Sequence, residues 1–406
     1  MICRQPALVP DMKLEIQSAA RKLRTYCQSH NWAGHDPYDA LNSRAFRALP
    51  FLDHKIPRLI LIQALKRSPL DVRRLLLVPK KHNAKATALF LSALLRLGEA
   101  GEDTRRDVEL MIERLRELRS PGKPYWCWGY SFPWQTRTII VPDTEPNLVC
   151  TVFAARALLE AHRKLGSQEC LNMAVSSAEY VLNELYWRDG DAVGGFSYPL
   201  PGIRENVPNA NFLASALLCK IYAQTGDKKF LGPALEVTRR TAGKQAADGS
   251  WPYAYSAKAL WIDNFHTGYN LCALRSIARS VGTAEFDASI KRGFIFYRRH
   301  FFHDDGMPKY FYNRTYPVDI HCVAQSIITL LEFRDFGHDN FELANSVLRW
   351  AMTHMWDDRG FFYYRMLRLL TIRISYMRWS QAWMLLAMAA FLNVSNVSGI
   401  QGSERS

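Results

Sequence analysis

Four things are missing or scarce in this chain of 406 residues. There is no apolar run of membrane-spanning length. The longest near the C-terminus, Ala382–Leu392, is eleven residues, against the roughly 20 a spanning helix needs. The first fifteen residues hold no continuous apolar core of the kind a secretory leader carries. Eight cysteines are scattered without a single CxxC pair. That spacing disfavours a disulfide framework or a cysteine metal site and predicts free thiols in a reducing cytoplasm. HExxH, GxGxxG and P-loop patterns are also absent. The reading therefore expects no metal, no cofactor and no nucleotide.

Aromatic residues and positive charge are abundant. Aromatics make up 12% of the chain, and 52 Lys and Arg face 38 Asp and Glu, a formal charge of +14. Six segments read as helices that are apolar almost all round: 86–97, 148–161, 211–223, 266–279, 320–333 and 380–392. They recur in steps of 54 to 64 residues. All-round apolarity marks a helix buried on every side. Amphipathic helices alternate with them at 104–118, 170–185, 230–244, 285–300 and 341–354. The sixth amphipathic partner is expected within 55–78, and 14–29 is expected as an additional N-terminal helix. An outer amphipathic helix alternating with an inner apolar helix six times predicts an all-α fold, an (α/α)6 toroid. One domain over 1–392 and a flexible tail at 393–406 are expected.

The loops from outer to inner helix span 119–146, 186–210, 245–265, 301–319 and 355–379. They carry 8 of the 11 Trp and 12 of the 18 Tyr. In an alternating ring these loops emerge at one end, so aromatic side chains crowd one mouth. The loops share an acidic turn, a Gly and then aromatics, as in Asp248-Gly-Ser-Trp-Pro-Tyr253 and Asp304-Asp-Gly-Met-Pro-Lys-Tyr310. Such turns favour short strand-like arms. Polar residues recur where each inner helix begins. Any one alone is an ordinary N-cap, but five clusters converge. Asp263, His266, Asp319 and His321 are the candidate proton-handling groups. Trp126, Trp128, Asn147, Asn211, Trp251, Tyr269 and Arg378 are the candidate substrate contacts, with Arg378 for an anionic substituent and the tryptophans for sugar faces. The basic segment Arg44–Lys85 suggests peripheral contact with an anionic membrane surface or with polysaccharide assembly machinery. No nucleic-acid module accompanies it, and no nucleic-acid partner is expected.

This pattern resembles the six-hairpin-glycosidase and sugar-epimerase toroids. It is more specifically similar to a group linked to bacterial exopolysaccharide biosynthesis. The stretches His35-Asp-Pro-Tyr-Asp-Ala-Leu-Asn-Ser43 and Ile262-Asp-Asn-Phe-His-Thr-Gly-Tyr-Asn270 carry that likeness. The resemblance implies an oligo- or polysaccharide substrate and leaves hydrolase, lyase and epimerase open. Gln245-Ala-Ala-Asp-Gly-Ser-Trp251 resembles the repeat motif of terpenoid-cyclase toroids, in one copy and without the acidic DxDD signature. A non-catalytic glycan-binding subunit is the third reading.

Overall fold

A computed structural model describes residues 10–136, 138–190, 193–337 and 339–403. The helices are α1 (Pro10–Ser29), α2 (Arg44–Arg47), α3 (Lys55–Arg67), α4 (Ala84–Glu99), α5 (Arg105–Glu117), α6 (Leu148–Leu165) and α7 (Gln168–Tyr180). They continue as α8 (Pro208–Thr225), α9 (Leu231–Gly243), α10 (Asn264–Val281), α11 (Asp287–His300), α12 (Ile320–Glu332), α13 (Asp339–His354) and α14 (Ala382–Ser403).

The inner helices are α4, α6, α8, α10, α12 and α14. Each packs on the next, and α14 packs back on α4, so the ring closes. Apolar side chains pointing both inward and outward explain why the six carry most of the main buried core. The outer partners are α5, α7, α9, α11 and α13, each against the inner helix preceding it in the chain. This is the (α/α)6 toroid expected from the repeat.

The sixth outer helix differs from expectation. It is α1, which packs on α14, so this hairpin pairs the first and last helices of the described residues. The segment 55–78 is not a ring helix. There α3 rests on the short turn Asp39–Asn42 and on a mouth loop. It shares with that turn a small separate core of Ala40, Leu41, Ile62, Leu65 and Val78. The last helix runs on to Ser403, past Leu392; residues 404–406 of the expected tail lie outside the described residues.

Short strands occur in the mouth loops, as the arm pattern suggests. Strands β1 (Trp134–Gln135) and β2 (Ile140–Val141) pair, as do β3 (Tyr186–Asp189) and β4 (Val193–Phe196). Strand β5 (Val318–Asp319) leads into α12, and β6 (Trp356–Asp357) pairs with β7 (Phe361–Phe362). Strands β8 (Arg365–Met366) and β9 (Thr371–Ile372) complete a three-stranded sheet with β5.

The acidic-turn arms lock each hairpin to the next. Gly249, Gly306 and Gly360 all have φ near +90°, a region L side chains rarely adopt. Each lies against the backbone of the following outer helix: Gly249 at Arg292 of α11, Gly306 at Ser346 of α13 and Gly360 at Lys22 of α1. The third contact marks α1 as the sixth outer helix. A Cβ on Gly306 would stand 2.7 Å from the Ser346 carbonyl carbon. Gly306→Ala is therefore expected to destabilise the fold by about 2 kcal/mol or more. Chemical denaturation measures this, and an unchanged midpoint would refute the interlocking role.

A buried ion pair completes the closure. Arg378, at the start of the last inner segment, donates from Nε and Nη2 to the Asp36 carboxylate at 2.6 and 2.8 Å. Asp36→Ala would leave a buried guanidinium unpaired, at an expected cost of about 3–5 kcal/mol. A thermal melt of that variant gives the comparison.

Candidate functional site

All six inner helices begin at the mouth, and side chains at their first turns set its chemistry. Asp263 caps α10: its Oδ1 accepts the His266 backbone N–H at 3.0 Å. Its Oδ2 lies 2.7 Å from His266 Nδ1 and accepts the Trp261 indole N–H at 3.1 Å. Asp263 Oδ2 thus engages Nδ1 of the ring, and Nε2 is the nitrogen turned away from the carboxylate. Among the described residues Nε2 has no hydrogen-bond partner. The Asp263 side chain is 1% exposed and that of His266 20%, so the orienter is buried and the imidazole reaches solvent.

Beside this pair stands an aromatic stack. Tyr253 and Trp261 lie parallel with ring centres 4.6 Å apart, and Tyr253 is 4.8 Å from the His266 ring. Trp261 is 39% exposed. It lines a groove of about 320 Å3 with Phe311, Tyr312, Asn313 and Arg314. Half-buried tyrosines also come from other mouth loops: Tyr38, Tyr130, Tyr198 and Tyr310. Burial pushes the hydroxyls of Tyr130, Tyr198, Tyr253 and Tyr310 upward, so they remain protonated donors.

One turn deeper lies a second cluster. The Tyr269 hydroxyl and His321 Nε2 share a 2.6 Å hydrogen bond. His321 is packed between Phe265 and Trp383, with ring centres at 4.5 Å on both sides. Burial, reinforced by the charges of Lys85 and Arg378, holds His321 well below the usual histidine range. The Lys85 Nζ sits over the rings of Phe153, Tyr269 and Trp383 at 4.3, 5.6 and 5.3 Å. Burial, with Arg378 nearby, pulls this ammonium down to about 7. An amine that titrates near neutrality can take or give a proton.

The remaining candidates are held by structural bonds. Asp319 faces Arg365 across the β5–β8 pair. Its Oδ2 accepts from that guanidinium at 2.6 and 3.0 Å, and its Oδ1 accepts the Trp379 indole N–H at 2.8 Å and the His321 N–H at 3.0 Å. Both oxygens are thus taken, and His321 is buried. Trp128 and Trp251 are buried and play one repeated role. Each donates its indole N–H to the last turn of the preceding outer helix, at Leu115 O (2.7 Å) and Thr241 O (3.1 Å). Gln245 ties the same arm to Gly249 O and Ser289 O, both at 2.9 Å, so the cyclase-like motif here is a hairpin clamp. Asn147 caps α6 through Cys150 N. Asn211 accepts from Phe196 N and donates to Asn206 and Thr241. Arg378 is taken by Asp36 and lies over Tyr130, Phe132 and Trp379. Trp126 is half-buried beneath Arg119. His266, Asp263, Tyr269 and His321 come together, with Asp319 behind His321, and are joined by Lys85, Tyr253 and Trp261, which the sequence reading passed over. Among the described residues no three His, Cys, Asp or Glu side chains gather as a metal site.

No protein-family model matches the sequence, and comparison with curated proteins finds no match. Solved structures share the architecture. A cellobiose 2-epimerase from Bacillus thermoamylovorans is similar over 79% of this chain and 90% of its own, at 10% identity and TM-score 0.60. A GH76 alpha-mannanase from Bacteroides thetaiotaomicron is similar over 78% and 87%, at 11% identity and TM-score 0.62. A D-mannose isomerase is similar over 76% and 87%, at 11% identity and TM-score 0.54. At these identities the likeness establishes the (α/α)6 fold.

The buried His321 makes stability depend on pH. Its folded value lies below the unfolded value of about 6.5, so acid must charge a group the fold keeps neutral. The contribution is fully present above about pH 6.5 and is lost as the pH falls below it. Melting temperature should therefore drop from pH 7 to pH 5, with a shallower slope in His321→Gln. Equal slopes in the two proteins would contradict this.

Proposed function

We propose that the chain is a carbohydrate-active enzyme that binds an oligo- or polysaccharide at the mouth and moves a proton on one sugar. The Asp263–His266 pair beside the exposed Trp261, stacked on Tyr253, carries this reading. A sugar ring offers apolar C–H faces to a flat aromatic and hydroxyls to its edges. Trp261 provides the first, and Asn313, Arg314 and the mouth tyrosines the second. Asp263 fixes the tautomer and orientation of His266, whose Nε2 acts as general base and, once protonated, as general acid. Structural neighbours named as an epimerase, an isomerase and a mannanase support carbohydrate chemistry in general. Epimerisation, isomerisation or elimination is favoured over hydrolysis by paired carboxylates, because the oxygens of Asp263 and Asp319 already accept hydrogen bonds. The biological setting we assign is exopolysaccharide metabolism in the cytoplasm.

The test is incubation with reducing oligosaccharides in D2O, following solvent deuterium incorporation and new sugar products. His266→Ala should lower the rate of exchange by about 100-fold or more, and Trp261→Ala should raise KM more than it lowers kcat. A folded His266→Ala protein with wild-type exchange would refute the assignment. If no substrate turns over while glycan binding persists and falls in Trp261→Ala, a binding subunit replaces the enzyme.

We also infer that the Arg44–Lys85 segment rests on an anionic membrane surface. Phe51, Ile56, Ile60, Leu70, Leu75 and Leu77 are each more than half exposed. Arg44, Lys55, Arg67, Arg74 and Lys80 are exposed among them. Apolar side chains interspersed with cations match an interface of acyl chains and anionic headgroups. No helix among the described residues is long and apolar enough to cross a membrane, so the contact is peripheral. Vesicles containing phosphatidylglycerol should co-sediment the protein at least tenfold better than pure phosphatidylcholine vesicles. Phe51→Ser/Ile60→Ser should abolish the difference. Equal sedimentation with both vesicles would refute the contact.

A further inference from the structure

The ring encloses a second space that the mouth chemistry does not use. It is a cavity of about 430 Å3 among the later turns of the inner helices, at the end opposite the mouth. Its inner wall is aromatic, formed by Phe153, Tyr269 and Trp383. Toward its opening the lining is strongly cationic. Two carboxylates also line it, but both are occupied. Glu160 pairs with Arg96 at 3.0 Å, and Glu332 pairs with Arg279 and lies 3.7 Å from Arg275.

Of the other lining cations, Arg334 donates to the Leu331 carbonyl at 3.1 Å, which leaves Arg156, Arg163 and Lys220. Among the described residues none of the three has an ion pair or a side-chain hydrogen bond. They also feel one another. Burial, followed by repulsion from Arg156 and Arg163, holds the Lys220 ammonium down to about 8. Cations in the last turn of a helix are stabilised by its free carbonyls, which accounts for Arg163. That explanation does not reach Arg156, which lies mid-way along Leu148–Leu165 and is packed toward the Phe153 ring. Glu160 and Glu332 favour the charge on Arg156 and Lys220 from a distance, yet burial still lowers both, and an anion bound among them would relieve that cost. The volume is that of a small-molecule site.

We propose that this cavity is a binding site for a phosphorylated sugar, separate from the Trp261 groove at the mouth. Three convergent cations suit a phosphate dianion better than a single carboxylate, and two of them are guanidinium forks that match phosphate oxygens. Phe153 and Trp383 offer flat faces to the sugar ring. Gln224, Gln325 and Ser92 at the wall supply hydrogen-bonding groups for its hydroxyls.

The experiment is titration calorimetry on the full chain with glucose 6-phosphate, inorganic phosphate, gluconate and glucose as probes. Glucose 6-phosphate should bind with a submillimolar Kd, at least tenfold tighter than inorganic phosphate or gluconate, and glucose should give no heat. Arg156→Gln and Lys220→Gln should each weaken glucose 6-phosphate at least tenfold. Without ligand, neither variant should melt below the wild type, because each removes a cation that burial disfavours and that holds no ion pair among the described residues. Affinity should also fall as the pH is raised through about 8, where Lys220 loses its charge. Absence of binding by every probe at 10 mM would overturn the proposal. So would binding untouched by both substitutions, or binding lost in His266→Ala but kept in Arg156→Gln. Equal affinity for inorganic phosphate and glucose 6-phosphate would overturn the sugar part.

Discussion

A ring of helices holds only if its first and last members meet, and in this chain everything else depends on that meeting. The contact is made twice. Apolar surfaces of α14 join α4 and α1, and at the mouth the Asp36 carboxylate grips Arg378 across 342 positions of sequence. Burial opposes the charge on Arg378, but Asp36 more than offsets it and the guanidinium stays ionised. The grip sets the edge of the mouth. It pins the 35–43 loop over the ring, with Tyr38 beside Trp379, and keeps Arg378 over Tyr130. The same pair gives the likeness-bearing stretch His35–Ser43 a physical task, since Asp39 in turn holds the buried Arg73 at 2.8 Å.

With closure secured, the axis of the ring becomes a polar line inside an apolar wall. Asp263 and His266 sit at its wet end. His321, Tyr269 and Lys85 sit a turn deeper, where burial keeps His321 neutral and brings Lys85 near neutrality. Depth along the axis thus decides which groups can exchange protons with a ligand. In the function proposed above, that exchange falls to His266, with one-fifth exposure and a buried carboxylate behind it. A histidine wedged between two rings is arranged to hold Tyr269.

Much of this was legible in the residues. The apolar period marked the six inner helices, and the acidic turns marked the arms. Asp263 and His266, three apart at a helix start, announced their contact. Other features depend on contacts far apart in sequence. Nothing in Pro10–Ser29 tells that it partners a helix beginning at Ala382, because any amphipathic helix fits any outer slot. Trp251 and Trp261 look alike as letters. The turn at Gly249 sends the first into the hairpin and leaves the second at the surface. Lys85 reads as one more member of a basic run. Only its place above three rings, each from a different element, separates it from the exposed cations near it.

The split last hairpin has a consequence for synthesis. Emerging from the ribosome, α1 must wait for α14, which begins at Ala382. At roughly 5–20 residues per second that interval lasts on the order of half a minute. Until then the nascent ring is an open arc, with the apolar flanks of α1 and α4 uncovered. Those apolar flanks stay exposed to water until α14 covers them.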